Sequence, residues 1–214
     1  MTLAIFDLDG TLADTLADLS DSVNSALETL GCPKHDYQSY RRFVGNGALK
    51  LCERALPEGR KDEAGTLLGL FKDNYNAHLL DKTLIYDGIK ETLDRLTESG
   101  VVIAVATNKP QDAARKLISA LLPDAPFVKV LGGCDERPRK PDAAVIREIE
   151  EAVTGCDRVF MIGDSNVDVR TAKNAGIPCI GCVWGFRDRE ELESEGADFI
   201  AEKPSDIADI ILSE

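Results

Sequence analysis

The sequence predicts an α/β fold, in which helices flank a parallel sheet and a helical segment is inserted after the first strand. Short runs rich in valine and isoleucine recur along the chain, and amphipathic helical patterns separate the later runs. Strands that alternate with helices in this way form parallel sheets. Between Thr15 and Leu80 the chain has helical patterns and no convincing strand. That stretch is too long for a loop, so we expect a separate helical unit.

Five apolar runs are the predicted strands. They are Leu3–Phe6, Val101–Ala106, Phe127–Leu131, Val159–Ile162 and Pro178–Val183. Continuous apolar runs of this length are typical of strands that are buried on both faces. We therefore expect a parallel sheet of about five strands with helices on both sides.

Four helical patterns separate these strands. They cover residues 88–99, 109–122, 140–153 and 165–176. The first places Ile89, Leu93 and Leu96 on one face and is followed by Gly100, a residue that often ends helices. The next two have Pro110 and Pro141 in their first turns, where a missing N–H costs no helical hydrogen bond.

The inserted segment has its own helical pattern. A stripe formed by Leu16, Leu19 and Val23 continues to a stop at Gly31, and further helices are expected over residues 47–56 and 62–80. We predict that residues 15–81 form this helical unit. Residues 1–14 and 82–214 then form the sheet unit, and the chain crosses between the two units near residues 10–14 and 81–88.

The excess of acidic residues limits the expected partners. The chain has 38 Asp and Glu residues against 25 Lys and Arg residues, for a net charge of −13. Proteins that bind nucleic acid need a basic surface, so no nucleic-acid partner is expected. The same field repels an anionic substrate unless a metal ion or local cations reverse it at the site.

The expected compartment is the cytoplasm. No apolar run approaches the roughly 18 residues of a membrane span, so no membrane association is expected. Met1 leads directly into a strand-like segment without a basic region, which argues against a signal peptide. The six cysteines are scattered through a chain too long to need disulfides, as in proteins of reducing compartments. The oligomeric state is not indicated.

Polar residues follow the predicted strands at the points where each strand ends. They are Asp7, Asp9 and Thr11 after the first strand, Thr107, Asn108 and Lys109 after the second, Lys140 before a helix, and Asp164, Ser165 and Asp168 after the fourth. Ligands of open parallel sheets bind beyond the carboxyl ends of the strands. Each group alone is common in turns or helix caps, but together they indicate a site at one sheet edge.

This set of residues suits phosphoryl transfer to a carboxylate. Oxygen ligands fit Mg²⁺, which prefers one or two carboxylates together with water and substrate phosphate. Lysine and a helix N-terminus add positive field, and aspartate is an accepted nucleophile for phosphoryl groups. A second aspartate can act as a general acid if crowding of like charges raises its pKa. The only histidines, His35 and His78, lie in the insert, which weakens a serine–histidine alternative.

Four motifs carry a resemblance to a known family. In order, "FDLDGTLAD", "ATNKP", "RKPD" and "MIGDSNVD" closely resemble the motifs of the haloacid-dehalogenase-like hydrolases. The resemblance covers essentially the whole chain and implies a Rossmann-like core with the insert as a helical cap. True dehalogenases of that superfamily lack the second aspartate of the first motif. Asp9 therefore implies a Mg²⁺-dependent phosphatase or phosphotransferase that acts on a small phosphorylated metabolite.

The resemblance also implies roles for the charged residues. Asp7 would be the nucleophile that becomes phosphorylated, and it would also bind the metal. Asp9 would be the acid and base and would bind the metal through its backbone carbonyl. Lys140 would neutralise the aspartyl phosphate. Asp164 would bind Mg²⁺, with Asp168 nearby either as a ligand or as an orienting group.

The substrate-binding residues are expected in two places. Thr107 and the backbone of Asn108 would hold the phosphate. Gly45, Asn46 and Gly47 of the insert are either a simple tight turn or a specificity loop that the cap lowers over the site. The arginines around that turn suit a substrate carboxylate, although charges on helices are more often only solvated.

Within the superfamily, the chain most resembles bacterial phosphoglycolate phosphatases. The softer supporting stretches are residues 16–31, 41–56, 86–110 and 183–186, while Cys134 and Asp87 depart from the usual pattern. Phosphoglycolate is therefore the first expected substrate. The alternatives are an inorganic pyrophosphatase, a sugar-phosphate phosphatase or mutase, and a non-catalytic binding protein on the same fold.

Overall fold

Eight strands lie along the chain, and six of them form one sheet. In chain order they are β1 (Thr2–Phe6), β2 (Ala13–Asp14), β3 (Leu84–Ile85), β4 (Val102–Pro110), β5 (Phe127–Gly133), β6 (Arg158–Gly163), β7 (Cys179–Cys182) and β8 (Phe199–Ala201). The computed structural model describes residues 1–214. The order in the main sheet is β5-β4-β1-β6-β7-β8, and every neighbouring pair is parallel. The predicted α/β fold with a parallel sheet is thus confirmed.

Two features of the strands were not expected from the sequence. Strand β8 adds a sixth member at the sheet edge, because its three residues are too short to leave a recognisable apolar run. Strands β2 and β3 pair antiparallel as a two-residue ribbon, with Ala13 opposite Ile85 and Asp14 opposite Leu84. The ribbon ties together the chain segments that enter and leave the insert.

Ten α-helices accompany the strands. They are α1 (Leu16–Thr29), α2 (Tyr37–Phe43), α3 (Ala48–Ala55), α4 (Ala64–His78), α5 (Ile89–Glu98), α6 (Gln111–Leu121), α7 (Ala144–Ala152), α8 (Asn166–Ala175), α9 (Arg189–Ser194) and α10 (Pro204–Ser213), with a 3₁₀ segment at Glu58–Glu63. Helices α2, α9 and α10 were not predicted. Helix α2 begins after Asp36, whose side chain accepts a hydrogen bond from the Ser39 N–H at 2.8 Å.

The sheet is covered on both faces, as the continuous apolar strands require. In β1, Ala4 and Phe6 belong to one buried cluster and Leu3 and Ile5 to another, because successive side chains of a strand point to opposite faces. Helices α5, α6 and α10 contribute to the first cluster, whereas α7, α8 and α9 contribute to the second. The central strand, β1, is therefore buried from both sides. It holds in place the residues that follow it, beginning with Asp7.

The inserted helices α1–α4 share the first of these two clusters. Leu19 and Val23 of α1 and Leu67 and Phe71 of α4 are buried in it together with residues of the sheet face. The proposed division into residues 15–81 and the rest therefore separates units that share packed apolar side chains. None of the helices combines the length and the apolar character needed to span a membrane.

Candidate active site

Three buried carboxylates meet at the carboxyl ends of two neighbouring strands. Asp7 follows β1, Asp164 follows β6, and Asp168 lies in the first turn of α8. Strands β1 and β6 pair so that Phe6 lies opposite Ile162, which brings the first two aspartates side by side. One oxygen from each of the three carboxylates lies within 4.8 Å of the others. The structure thus brings together two of the three predicted metal-binding residues.

Lys140 links two of these carboxylates. Its Nζ lies 3.0 Å from Asp7 Oδ1 and 2.7 Å from Asp168 Oδ1, and the lysine side chain is buried. The other oxygen of Asp168 accepts hydrogen bonds from the backbone N–H of Ser165 at 3.1 Å and from its hydroxyl at 2.7 Å. Asp168 thus has a partner at each of its oxygens and is linked to Asp7 through Lys140.

Asp164 is held by the loop that follows β7. Its Oδ2 accepts a hydrogen bond from the Phe186 N–H at 2.6 Å, and Thr11 Oγ1 lies 3.4 Å from its Oδ1. A Cβ atom added at Gly10 or Gly185 would overlap this carboxylate, so the backbone approaches it closely from two sides. The carboxylate therefore has little freedom to turn away from Asp7.

Burial and crowding set the charge state of the carboxylates. Burial raises the pKa of Asp7 to about 6, with Asp168 and Asp9 acting in the same direction and Lys140 against them. Burial and the neighbouring Asp168 and Asp7 raise the pKa of Asp164 well above its usual value. For Lys140, burial acts to lower the pKa, but Asp168 and Asp7 outweigh it and the pKa is raised. A cation beside Asp7 and Asp164 would stabilise their ionised forms.

The donor set fits Mg²⁺. All the candidate ligands are oxygens, which this hard cation prefers. Asp7 Oδ1 is buried without a hydrogen bond and has only the Lys140 ammonium as an ionic neighbour. Such a carboxylate oxygen retains capacity for a metal ion. Asp7 and Asp164 are therefore well arranged to hold one.

Asp9 is engaged by different partners. Its Oδ1 accepts from Lys109 Nζ at 2.8 Å and from the Thr15 hydroxyl at 2.7 Å. Its side chain is not part of the carboxylate cluster, and the role expected of its backbone carbonyl stays a prediction. The buried Lys109 also lies over the ring of Tyr75 in α4, at 4.8 Å from the ring centroid. The sequence does not predict the contacts of Lys109 with Asp9 and Tyr75, because they join segments that lie far apart in the chain.

Asn108 connects three segments around the site. Its Nδ2 donates to the carbonyl of Gly45 in the insert at 3.0 Å and to that of Lys140 at 2.9 Å, and its Oδ1 accepts from the Lys140 N–H at 2.9 Å. Thr107 Oγ1 accepts from the Lys109 N–H at 3.2 Å. The side chain of Asn108 thus fixes Lys140, whereas the expected phosphate contacts of Thr107 and of the Asn108 backbone remain predictions.

A small, partly open cavity lies between the sheet edge and the insert. The predicted residues that line it are Asp7, Asp9, Thr107, Asn108, Gly45 and Gly47. Asn46 does not line it, and its side-chain oxygen instead accepts from Arg54 Nη2 at 2.7 Å. Lys140 and Asp164 lie outside the lining as well. The insert therefore faces Asp7 across this cavity.

Two arginines join the insert to the loop beside Asp164. Arg41 of α2 donates to the carbonyls of Gly185 at 2.6 Å and Phe186 at 3.2 Å. In return, Arg187 donates to the carbonyl of Arg41 and to that of Val44 at 3.0 Å. Arg41 and Arg187 thus bind backbone carbonyls, and neither of them lines the cavity.

Comparisons with known proteins show which family the chain resembles. The family model described as haloacid dehalogenase-like hydrolase matches residues 4–182. The chain is 38% identical over 201 residues to a phosphoglycolate phosphatase of Agrobacterium fabrum, which covers 90% of this chain and 85% of the relative. It is 36% identical over 198 residues to a phosphoglycolate phosphatase of Mesorhizobium japonicum, with 90% and 87% covered.

Solved structures show the same architecture. A protein proposed as a phosphoglycolate phosphatase from Lactobacillus delbrueckii superposes with a TM-score of 0.93 at 30% identity, over 99% of this chain and 98% of that chain. A second such protein, from Haemophilus somnus, gives a TM-score of 0.88 at 30% identity, over 98% and 97%. The likeness extends over nearly the full length, the insert included.

Proposed function

This chain belongs to the haloacid dehalogenase-like hydrolases and is a phosphatase, and from that premise we propose that it hydrolyses phosphoglycolate through a phospho-aspartate intermediate at Asp7, with Mg²⁺ as cofactor. The observation that carries the proposal is the buried carboxylate of Asp7, which faces a small cavity and lies beside Lys140 and Asp164. Several relatives at 31–38% identity are phosphoglycolate phosphatases, which supports the choice of substrate.

In the first step, Asp7 attacks the phosphorus atom of the substrate. The bond between phosphorus and the ester oxygen breaks, and the oxygen leaves with a proton supplied by Asp9. When bound to Asp7 and Asp164, Mg²⁺ would offset the repulsion between the phosphate and the nucleophile. Lys140, ion-paired with Asp7 at 3.0 Å, adds positive charge as negative charge accumulates on the phosphoryl oxygens.

In the second step, water releases the phosphoryl group. Asp9, now without its proton, takes one from a water molecule that attacks the phosphorus of phospho-Asp7. The bond between phosphorus and Asp7 breaks, and inorganic phosphate and the free carboxylate are formed. Thr107 and the Asn108 backbone would hold the phosphoryl oxygens through both steps. The insert over the cavity restricts the access of other acceptors.

The substrate assignment is tested by a panel. Purified protein with Mg²⁺ is assayed for inorganic phosphate with phosphoglycolate, sugar phosphates and pyrophosphate side by side. We expect the highest kcat/KM for phosphoglycolate and loss of turnover when EDTA removes the metal. A higher kcat/KM for pyrophosphate or for a sugar phosphate would overturn the assignment of phosphoglycolate as the substrate. If the protein releases no inorganic phosphate from any monoester, the phosphatase activity of this chain is refuted.

A further inference from the structure

The cavity holds two polar groups that the proposed reaction steps do not use. Lys109 lies at the end of β4, and its ammonium group is buried, with 1% of the side chain exposed. Tyr75 lies in α4 of the insert, and its buried hydroxyl has no hydrogen bond of standard geometry, with the Lys109 ammonium as its polar neighbour. Both residues line the cavity with Asp7. A buried hydroxyl without a well-formed hydrogen bond is costly, so it marks a position where a ligand atom can bind.

The ammonium of Lys109 is placed to change partners. In this structure it pairs with Asp9 Oδ1 at 2.8 Å, and Asp9 keeps a second partner in Thr15 at 2.7 Å. An anionic group that enters the cavity would meet Lys109 within it, two residues after Thr107, the expected phosphate holder. An incoming carboxylate can therefore share or replace the contact with Asp9.

Apart from Asp9, Thr107 and Asn108, the remaining wall of the cavity is apolar. It is formed by Leu19, Val44, Ala48, Leu51, Phe71 and Pro110. A sugar phosphate would place several hydroxyls against this wall without hydrogen-bond partners, which is unfavourable. A two-carbon acid buries little beyond its carboxylate, which needs only one or two donors. The wall therefore disfavours polyhydroxylated substrates, and the two polar groups favour a second anion.

We propose that Lys109 and Tyr75 bind the carboxylate of the substrate and thereby select small phosphomonoesters that carry a second anionic group. This inference rests on the proposed function and names the residues that determine its specificity. Lys109 donates from the sheet side, and Tyr75 donates its hydroxyl from the insert side. The carboxylate thus bridges the two units, and its recognition requires the insert to cover the site.

The test compares two substrates that differ mainly at the carboxylate. Phosphoglycolate and ethyl phosphate are assayed with Mg²⁺ on the wild type, Lys109→Met and Tyr75→Phe. We expect Lys109→Met to lower the preference for phosphoglycolate, the ratio of the two kcat/KM values, by about 10- to 100-fold. Tyr75→Phe should lower it by about 3- to 10-fold, since one uncharged donor is lost.

Matched controls use residues of the same type outside the cavity. Lys72 lies on the exposed face of α4, and Tyr37 is 47% exposed, with its hydroxyl donating to Asp21 at 2.8 Å. Lys72→Met and Tyr37→Phe should leave both kcat/KM values and their ratio within about twofold of the wild type, as surface substitutions usually do.

Binding measurements keep the inference testable if a variant turns over too slowly. Calorimetric titration of phosphoglycolate and of ethyl phosphate compares Asp7→Asn with the double variant that also carries Lys109→Met. Loss of the affinity difference in the double variant supports carboxylate recognition. An equal fall in kcat/KM for both substrates in Lys109→Met and Tyr75→Phe would overturn the inference, because Lys109 would then only position Asp9. Absence of phosphate release by the wild type would instead refute the proposed function.

Discussion

At the scale of single residues, the site depends on glycines that let the backbone approach Asp164. Gly10 has a φ of 85°, a conformation that favours glycine, and a Cβ atom there would overlap the Asp164 carboxylate. A side chain at this position would therefore strain the turn and displace the carboxylate. Gly10 of "FDLDGT" thus helps to fix the position of Asp164, a residue that lies far along the chain.

We expect Gly10→Ala to lower the rate of phosphate release by about 100-fold, because small displacements in an active site have effects of that size. Gly31→Ala is the matched control. Its φ is 65° and a Cβ atom would meet nothing within 4 Å, so it should cost about 1 to 2 kcal/mol in backbone strain and leave turnover unchanged. Urea unfolding and phosphate assays on both variants measure the two effects. Similar turnover in the two alanine variants would contradict this account of Gly10.

The residues that were predictable from sequence are those whose place follows from a strand end. Asp7 and Asp164 follow neighbouring parallel strands, so the fold rule alone brings them together. The pairing of Lys109 with Asp9 and the position of Tyr75 depend on how the insert docks on the sheet. Docking of two packed units leaves no local sequence pattern, which is why these contacts were missed.

At the scale of elements, the loop after β7 is one of the connections between the insert and the sheet unit. The N–H of Phe186 donates to Asp164 at 2.6 Å, and its carbonyl accepts from Arg41 of α2 at 3.2 Å. Arg187 donates back to carbonyls of the same insert segment. The position of the insert and the orientation of Asp164 are thereby coupled through the backbone of the loop after β7.

Arg41→Ala should weaken the attachment of the insert to the loop after β7, because two charged hydrogen bonds to carbonyls are lost. We expect the KM for phosphoglycolate to rise about 10-fold and limited proteolysis of the native protein to be faster. Arg42→Ala is the control, since Arg42 lies next to it with an exposed side chain. If both variants behave like the wild type in proteolysis and in KM, the arginine contacts do not hold the insert.

The prediction of elements succeeded where periodicity was strong. The apolar runs that became β1, β4, β6 and β7 are almost wholly buried, whereas β5 at the sheet edge is half-buried, and the hydrophobicity of all five is visible without the fold. Helix α2 and strand β8 were missed for a different reason. Tyr40 is the only buried residue of α2, and β8 has three residues, so neither has an extended apolar face. Their positions are set by tertiary contacts.

At the scale of the whole molecule, the site has an electrostatic cost. Asp7 and Asp164 have raised pKa values in a protein whose net charge is −13. A carboxyl with a raised pKa binds its proton more tightly in the folded state than in the unfolded state. Its contribution to stability is therefore present at low pH and is lost as the pH rises through the folded pKa. For Asp7 this window ends near a pH of about 6.

We expect Mg²⁺ to stabilise the protein more at a pH of about 7.5 than at about 5, since a metal ion binds the ionised carboxylates. Urea unfolding with EDTA or saturating Mg²⁺ at both pH values measures the difference. At 100 times its Kd, the ion should add about 2.7 kcal/mol to the free energy of unfolding. In Asp7→Asn the metal effect should be much smaller. A metal effect that is independent of pH would contradict this assignment.

The division of the molecule into two units remains a prediction. The ribbon β2–β3 lies where the chain was expected to cross between them, which supports boundaries near residues 14 and 82. Buried apolar residues nevertheless continue from the sheet face into the insert. We infer from this shared cluster that the insert does not fold separately from the sheet.

The central claim, that Asp7 is phosphorylated during turnover, is tested most directly by acid quench. Wild type, Asp7→Asn and the control Asp14→Asn are mixed with phosphoglycolate and Mg²⁺, quenched, and digested for mass spectrometry. We predict a phosphoryl group on Asp7 in the wild type and in Asp14→Asn. Asp7→Asn should lack the phosphoryl group and release phosphate at least about 10³-fold more slowly than the wild type. Unchanged Mg²⁺-dependent turnover in Asp7→Asn would contradict the mechanism.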